Sequence, residues 1–201
     1  MENIKIISSG LTATDIAVLE WAFANGVKQS GWCPRGTRQE NNQYGLKETF
    51  RTDPSQCCQW NVWDADGIII FGSVYEQCGI CMKAVEYARL HHKPFYQLPL
   101  DHKSAAKLLA EFIERNKPKT IYFVGSSVNE DEIKHQLPLL LGDAFSDKAK
   151  SLPPSDSRRE SITSLVSSPS SIAENARTTS CLNPQVDDAL FSQAYVNMYR
   201  A

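Results

Sequence analysis

The sequence predicts an α/β fold: a Rossmann-like three-layer sandwich with a mostly parallel sheet, followed by a disordered C-terminal tail. Three observations carry that reading. A β-branched run, Ile4-Lys5-Ile6-Ile7, stops at Ser8-Ser9-Gly10, and an amphipathic segment starts at once. Two further apolar runs, Ile68-Ile69-Ile70-Phe71 and Ile121-Tyr122-Phe123-Val124, each close on glycine and serine. Helix-period segments fall between them, and strands alternating with helices at this spacing imply parallel pairing with helices on both faces.

Taken in order, residues 3–8 read as a buried strand. Residues 13–25 read as a helix with Ile16, Leu19 and Phe23 on one face. Asn25-Gly26 is its stop, with Gly26 suited to the left-handed position after the last turn. A second short strand is expected from Val27 toward Trp32, ending in Cys33-Pro34-Arg35-Gly36. Residues 37–60 are polar, aromatic and irregular, which suggests a long functional loop. Order returns at Asp66-Gly67 with the strand Ile68–Phe71. A helix is expected over residues 80–91, where Met82, Val85 and Ala88/Arg89 mark the period, and His92-Lys93-Pro94 breaks it before a strand at Phe95–Leu98. Residues 104–115 form the clearest amphipathic helix, with Ala105, Leu108, Leu109, Phe112 and Ile113 on one stripe. Pro118 punctuates before the strand at 121–124. Asn129 and Glu132 have the spacing of a capping box for a last helix, which Pro138 kinks or shortens. From Ser146 on, serine, proline and charge dominate, too little apolar surface to offset the entropy of ordering. The division is therefore a domain at residues 1–145 and a Ser/Pro-rich tail at 146–201, in which residues 186–199 are compatible with a short terminal helix.

A chain of 201 residues is long enough for one full hydrophobic core. With 42% hydrophobic and 22% charged residues and a formal net charge of −2, it has the balance of an ordinary soluble protein. No lysine- or arginine-rich stripe argues for nucleic acid, and no apolar run approaches the roughly 20 residues that cross a bilayer. Met1-Glu2-Asn3 lacks the layout of a secretory signal. A cytoplasmic location is expected, in which the six cysteines are thiols rather than a disulfide framework.

The residues with chemical potential gather at two strand-to-helix turns. Gly10-Leu11-Thr12-Ala13 leaves the first strand, and Gly79-Ile80-Cys81 opens the helix after the Ile68–Phe71 strand. In a parallel sheet both turns lie at the carboxyl edge, so they can face each other across one crevice and offer helix N–H donors to an anion. Thr12 adds a hydroxyl and Gly79 permits close backbone approach; the plainer reading is two tight turns. Asp15, in the first helical turn, suits either capping or contact with a ligand hydroxyl or amine. Arg35 and Arg38 suit bidentate recognition of a phosphate, or are solvated charges on a loop. Cys78-Gly79-Ile80-Cys81 has the spacing of a redox dithiol or half a zinc site. No nucleophile–base pair is identifiable.

Several collinear motifs resemble one family. Ser9-Gly10-Leu11-Thr12-Ala13-Thr14-Asp15-Ile16-Ala17-Val18-Leu19 is similar to the G-G-Q-T-G-x-D-x-A-A-L opening of the putative molybdenum carrier family. Gly31-Trp32-Cys33-Pro34-Arg35-Gly36-Thr37-Arg38 looks like its G-W-C-P-K-G-R-R segment, and Tyr44–Thr49 like Y-P-L-x-E-T. Trp60–Gly67 resembles x-N-V-x-D-S-D-G, and Cys78–Cys81 with Val85–Ala88 falls on T-G-G-T followed by V-E-x-A. That family is Rossmann-like and related to the lysine-decarboxylase-like and DprA-like nucleotide-ligand proteins. The resemblance covers roughly residues 3–125. It implies a non-catalytic carrier that binds molybdenum cofactor, a pterin with a phosphate, through Gly10, Thr12, Asp15, Arg35, Arg38 and Gly79, with Cys81 in the place of a threonine. Ser9, Ala13 and Ile80 stand where the family has glycine, and a Cβ at a position needing positive φ costs about 1 kcal/mol or more. Two alternatives stay open: a nucleotide-processing hydrolase of the lysine-decarboxylase-like type, of whose motif Gly79 and Glu86 survive, or a degenerate fold serving as an interaction module. The expected partner is a small phosphorylated ligand, with no nucleic acid or membrane. A homo-oligomer, and a protein partner for the tail, are compatible with this reading.

Overall fold

The computed structural model describes residues 4–37, 43–72, 79–98, 100, 105–127 and 129–146. All of them fall within one compact unit, Met1–Ser155. The expected tail, with its terminal helix, lies outside the described residues from position 147 on, as do Arg38 and Cys78.

Strand β1 (Lys5–Ile7) leads into helix α1 (Ala13–Ala24), and β2 (Gln29–Ser30) returns beside β1. After β3 (Trp32–Cys33) and β4 (Lys47–Glu48), α2 (Pro54–Asp64) leads to β5 (Gly67–Phe71). Then α3 (Gly79–Leu90), β6 (Phe95–Leu98), α4 (Ala105–Asn116), β7 (Thr120–Gly125) and α5 (Glu130–Phe145) complete the unit. The main sheet has the order β2-β1-β7-β5-β6, and every pairing in it is parallel. The Rossmann-like α/β architecture read from the sequence is thus what the chain adopts.

Side chains of a strand alternate between faces, and here both faces are apolar. Ile69, Phe71, Ile121 and Phe123 pack with α1, α4 and α5. Ile68, Ile70, Tyr122 and Val124 pack with α2 and α3. From β1 the chain crosses by α1 to β2 in one direction. From β5 it crosses by α3 to β6 in the other, on the opposite face. A single hand of crossover demands that pairing of direction and face. The sheet's switch of direction therefore falls between β1 and β5, with β7 between them.

Four local expectations are corrected. Residues 54–64 of the supposed loop are helical: Asp53 caps them, its Oδ1 accepting from Ser55 N at 2.9 Å, and Pro54 sits in the first turn. Its periodicity is hidden because Gln56, Gln59 and Asn61 are buried along with Cys57, Cys58, Trp60 and Val62. The strand expected from Val27 to Trp32 is split at Gly31. A Cβ there would collide with the Ser8 carbonyl, so the chain passes hard against the end of β1 and then pairs as β3 with β4 in a separate two-stranded sheet. Phe23 and Met82, read as core positions, are 60% and 52% exposed; Trp21 and Val18 of α1, and Cys81 and Ala84 of α3, face inward instead. Finally, Asn129 adopts left-handed backbone with no side-chain cap bond to the helix, its amide donating to Glu132 Oε2 at 3.5 Å. Pro138 does not shorten α5, which continues to Phe145 and buries Leu137, Leu140 and Leu141.

The β3–β4 layer is held by Asn61. Its Oδ1 accepts from Trp32 N at 2.7 Å and its Nδ2 donates to Trp32 O at 3.0 Å, both buried. Trp32 Nε1 donates to Asp64 Oδ2 at 2.8 Å, and its ring meets Trp60 edge-on at 4.7 Å. Removing Asn61 would strand two buried backbone groups, each costing about 1–3 kcal/mol. Asn61→Ala is therefore expected to lower unfolding free energy by about 2–4 kcal/mol in urea titration, while Asn116→Ala, which loses one partly exposed bond to Phe112 O, should cost under about 1.5 kcal/mol.

Candidate functional site at the carboxyl edge of the sheet

Because each helix runs antiparallel to the strand it joins, all five begin at the carboxyl edge of the sheet. Their positive dipole ends and first-turn amides are collected on one side of the molecule. What each end offers depends on whether its own side chains already fill it.

The first loop is filled. Gly10 turns with φ 68°, a left-handed conformation that glycine adopts without a Cβ penalty. Asp15 is 1% exposed and folds back beneath this turn. Its Oδ2 accepts from Ser9 Oγ, from Leu11 N at 3.1 Å and from Thr12 N at 3.4 Å. Thr12 Oγ1 accepts from Asp15 N at 3.1 Å, completing a capping box. Ala13 N donates to Ser127 Oγ at 3.1 Å, and Thr14 Oγ1 donates to Ser126 O at 2.7 Å, so the exit of β7 is tied to the same turn. The amides of Leu11, Thr12 and Ala13, expected to receive a ligand's anion, are bound to the chain itself. Asp15 caps the turn through Oδ2, while its Oδ1 is buried with no hydrogen-bond partner among the described residues.

The family's lost glycines cost less than feared. Ser9, Ala13 and Ile80 are not among the described residues with positive φ, so their side chains impose no left-handed strain. Ile80 is half-buried against the core between α2 and α3, and its carbonyl accepts from the Cys58 thiol at 3.8 Å.

Gly79, the first residue of α3, is exposed, and a methyl group there would meet nothing within 4 Å. The strands that lead toward the Gly10 and Gly79 turns, β1 and β5, are not direct neighbours: β7 lies between them, so the strands are two spacings apart, roughly 9–10 Å. Cys81 is 2% exposed within the apolar cluster under α3 and does not face the edge. Arg35 is exposed, and its backbone N–H donates to Arg51 O at 3.0 Å, which sets the two arginine-bearing turns side by side. The carboxyl of Asp53, at the start of α2, is held below its ordinary value first by the Ser55 backbone bond and also by the charges of Lys83 and Arg51. Arg35, Arg51 and the exposed Lys83 thus form a rim of cations at the start of α2, among which stand the carboxylates of Asp53 and of Glu48, whose Oε1 accepts from Gly36 N at 3.0 Å. Next to Arg51, the Phe50 ring is 57% exposed and stands edge-on to buried Trp60 at 5.5 Å.

Arg51 and Phe50 were absent from the sequence reading, because their importance follows from a helix start at Asp53-Pro54 that the loop reading overlooked. That dipeptide, an acidic cap before a proline, was the available signal.

Burial governs the other titratable groups. It raises the Asp15 carboxyl above its ordinary 3.8, with the bonds from Ser9, Leu11 and Thr12 acting in the opposite sense. Burial likewise drives the Cys57 thiol up and out of the range of thiolate chemistry, with Cys58 and Asp15 adding to the effect. The Tyr122 hydroxyl is raised for the same reason. Cys33, Cys57, Cys58 and Cys81 are all buried. Among the described residues, no three His, Cys, Asp or Glu side chains are grouped to hold a metal ion. No helix among them is long and apolar enough to cross a membrane.

Two predictions follow from these shifts and burials. A carboxyl whose folded value is raised contributes stability that is fully present below pH 3.8 and is lost as pH rises through the folded value. Asp15→Asn keeps an acceptor for the loop but cannot ionise. Thermal denaturation from pH 3 to pH 8 should therefore show the wild type losing stability relative to the variant as pH rises; a constant difference would refute a raised value. Iodoacetamide applied to the native protein should leave Cys33, Cys57, Cys58 and Cys81 unmodified in peptide mass mapping, all four reacting after denaturation.

The comparisons with known proteins agree with this architecture. Residues 6–142 match the family model described as the circularly permutated YpsA SLOG family. No curated protein matches the chain. A crystal structure of a putative molybdenum carrier protein from Syntrophus aciditrophicus is similar, with TM-score 0.64 and 27% identity over 72% of this chain and 96% of that one. The resemblance read from the collinear motifs is borne out.

Proposed function

The chain belongs to the circularly permutated YpsA SLOG family, and on that premise we propose that it is a non-catalytic carrier of a phosphorylated heterocycle, bound at the carboxyl edge of its sheet. Molybdenum cofactor is the ligand that the resemblance to the carrier family implies, and the similar Syntrophus protein bears the name of a putative molybdenum carrier. The observation that supports this reading is the rim of cations, Arg35, Arg51 and Lys83, at the start of α2, with the exposed Phe50 ring beside it.

The division of labour differs from the one the sequence suggested. Since Asp15 occupies the Gly10 turn and Asp53 caps the start of α2, the phosphate goes to the guanidinium groups of the rim and the first turn of α3. Phe50 offers a face on which a flat heterocycle stacks. Gly10, Thr12 and Asp15 then hold the neighbouring wall in shape and leave the charge contacts to the rim. The catalytic alternative draws no support from Glu86, which is exposed on α3 two turns beyond Gly79.

Thermal unfolding with a panel of pterin phosphates and nucleoside monophosphates tests the reading. At least one should raise the melting temperature in proportion to the logarithm of its concentration. Arg35→Ala and Arg51→Ala should each weaken that ligand about tenfold, the usual effect of losing one charge-assisted hydrogen bond. A panel without any stabilising member would overturn the proposal.

A further inference from the structure

Helices α2 and α3 pack on one face of the sheet and both begin at its carboxyl edge, so both end at the amino edge. There, two residues that follow α3 grip the last turn of α2. They belong to the run His91-His92-Lys93-Pro94, where α3 stops. His91 N still donates to Tyr87 O at 3.0 Å, His92 turns with φ 52°, and Lys93 N closes back on Ala88 O at 2.8 Å. Lys93 Nζ donates to Trp63 O at 3.3 Å and to Ala65 O at 2.7 Å, carbonyls that a helix end leaves without partners of its own. The Trp63 indole Nε1–H donates to His91 Nε2, with the two ring planes 77° apart and their centroids at 5.5 Å. Both side chains are half-buried, within reach of protons from solvent.

An imidazole nitrogen accepts a hydrogen bond only while it carries no proton. We propose that His91 is a pH switch at this corner: neutral, it holds the Trp63 indole, and protonated, it releases it. A proton on Nε2 turns the acceptor into a second donor, and N–H then faces N–H. Histidine is the side chain whose ordinary charge change falls between about pH 5 and 8. The surrounding groups do not replace the lost bond. Tyr87, Arg89, His92 and Lys93 come from the same end of α3, and three of these are cationic or become so in acid. The carboxyls that α2 and the start of β5 bring to the corner are engaged elsewhere. Asp64 Oδ2 accepts from Trp32 Nε1 at 2.8 Å and is shared by the charges of Lys47, Lys5 and Lys93. Asp66 Oδ2 accepts from Lys119 N at 3.0 Å and Thr120 N at 2.9 Å. The bond therefore contributes while the ring is neutral and is lost as acid protonates it. Acid adds nothing to the Lys93 ammonium, so the end of α2 stays fastened while the indole is let go. The switch is local, and it is independent of what the rim binds.

Indole signals in ¹H–¹⁵N spectra of the full-length chain test this. The chain has four tryptophans, and Trp63→Phe identifies the signal of Trp63. Between about pH 8 and about pH 5 that signal should move along the same curve as the ring signal of His91. His91→Gln sets an amide oxygen near the place of Nε2 and takes up no proton, so its Trp63 signal should hold still. Exchange of the Trp63 indole proton with water should be alike in the two proteins at neutral pH. In acid it should become about three- to tenfold faster in wild type than in His91→Gln, the loss of one neutral hydrogen bond. Three results would overturn the proposal. They are a Trp63 signal that stays in place while His91 titrates, a His91 ring that does not titrate across this range, and a Trp63 signal that moves as far in His91→Gln as in wild type.

Discussion

Asp15 sets a carboxylate in the position where a parallel α/β sheet ordinarily receives the anionic group of a ligand, and the rest of the carboxyl edge is arranged around that fact. The amides of a first helical turn have no partners inside the helix and attract whatever anion is nearest. Here the nearest carboxyl is covalently part of the helix, three residues past its cap. The exit of β7 is fastened to the same turn through Ser126 and Ser127. Burial of the carboxylate works against its ionisation, while three donors work for it. The loop's geometry therefore depends on a balance between desolvation and hydrogen bonding, since its φ-positive residue, Gly10, is free of strain.

With the first turn occupied, the charged part of the edge moves outward, and α2 is what makes that possible. The Asn61 clasp on Trp32 fixes the β3–β4 layer against α2, and that layer carries the turns bearing Arg35 and Arg51. Trp32, Trp60 and Phe50 form a run of edge-on rings from the buried interior to the surface. The same helix buries both Cys57 and Cys58, and burial drives the Cys57 thiol up. The two ends of α2 thus differ: its buried face holds the layer in place, and its first turn lies beside Arg51 and Lys83.

Where apolar residues line a strand or helix stripe, the sequence was readable: β1, β5, β6, β7 and α4 fall at the expected places. It misled where burial is polar. Asn61 and Gln56 look like surface residues until their bonds to Trp32 and Arg51 are known, and Gln59 is buried beside them, so α2 read as loop. It misled again where an apolar residue at the right helical spacing faces solvent, as Phe23 and Met82 do. Periodicity identifies a stripe, but the angle at which a helix meets the sheet decides which stripe is buried. For α1, packed between the sheet, α5 and the β3–β4 layer, several stripes are buried at once.

By itself the sequence determined the fold class, the order of the parallel sheet's principal strands and helices along the chain, and membership of a carrier-like family. Those follow from short-range facts: runs of β-branched residues, turns where glycine tolerates a left-handed backbone, and motifs whose order survives divergence. Only the tertiary structure decided who receives the first loop's amides, that Cys81 faces inward, and that Arg51 joins Arg35. Each of these is a contest among groups far apart in sequence for the same few donors or the same buried volume. Distance in space settles such contests, and a linear pattern does not contain it.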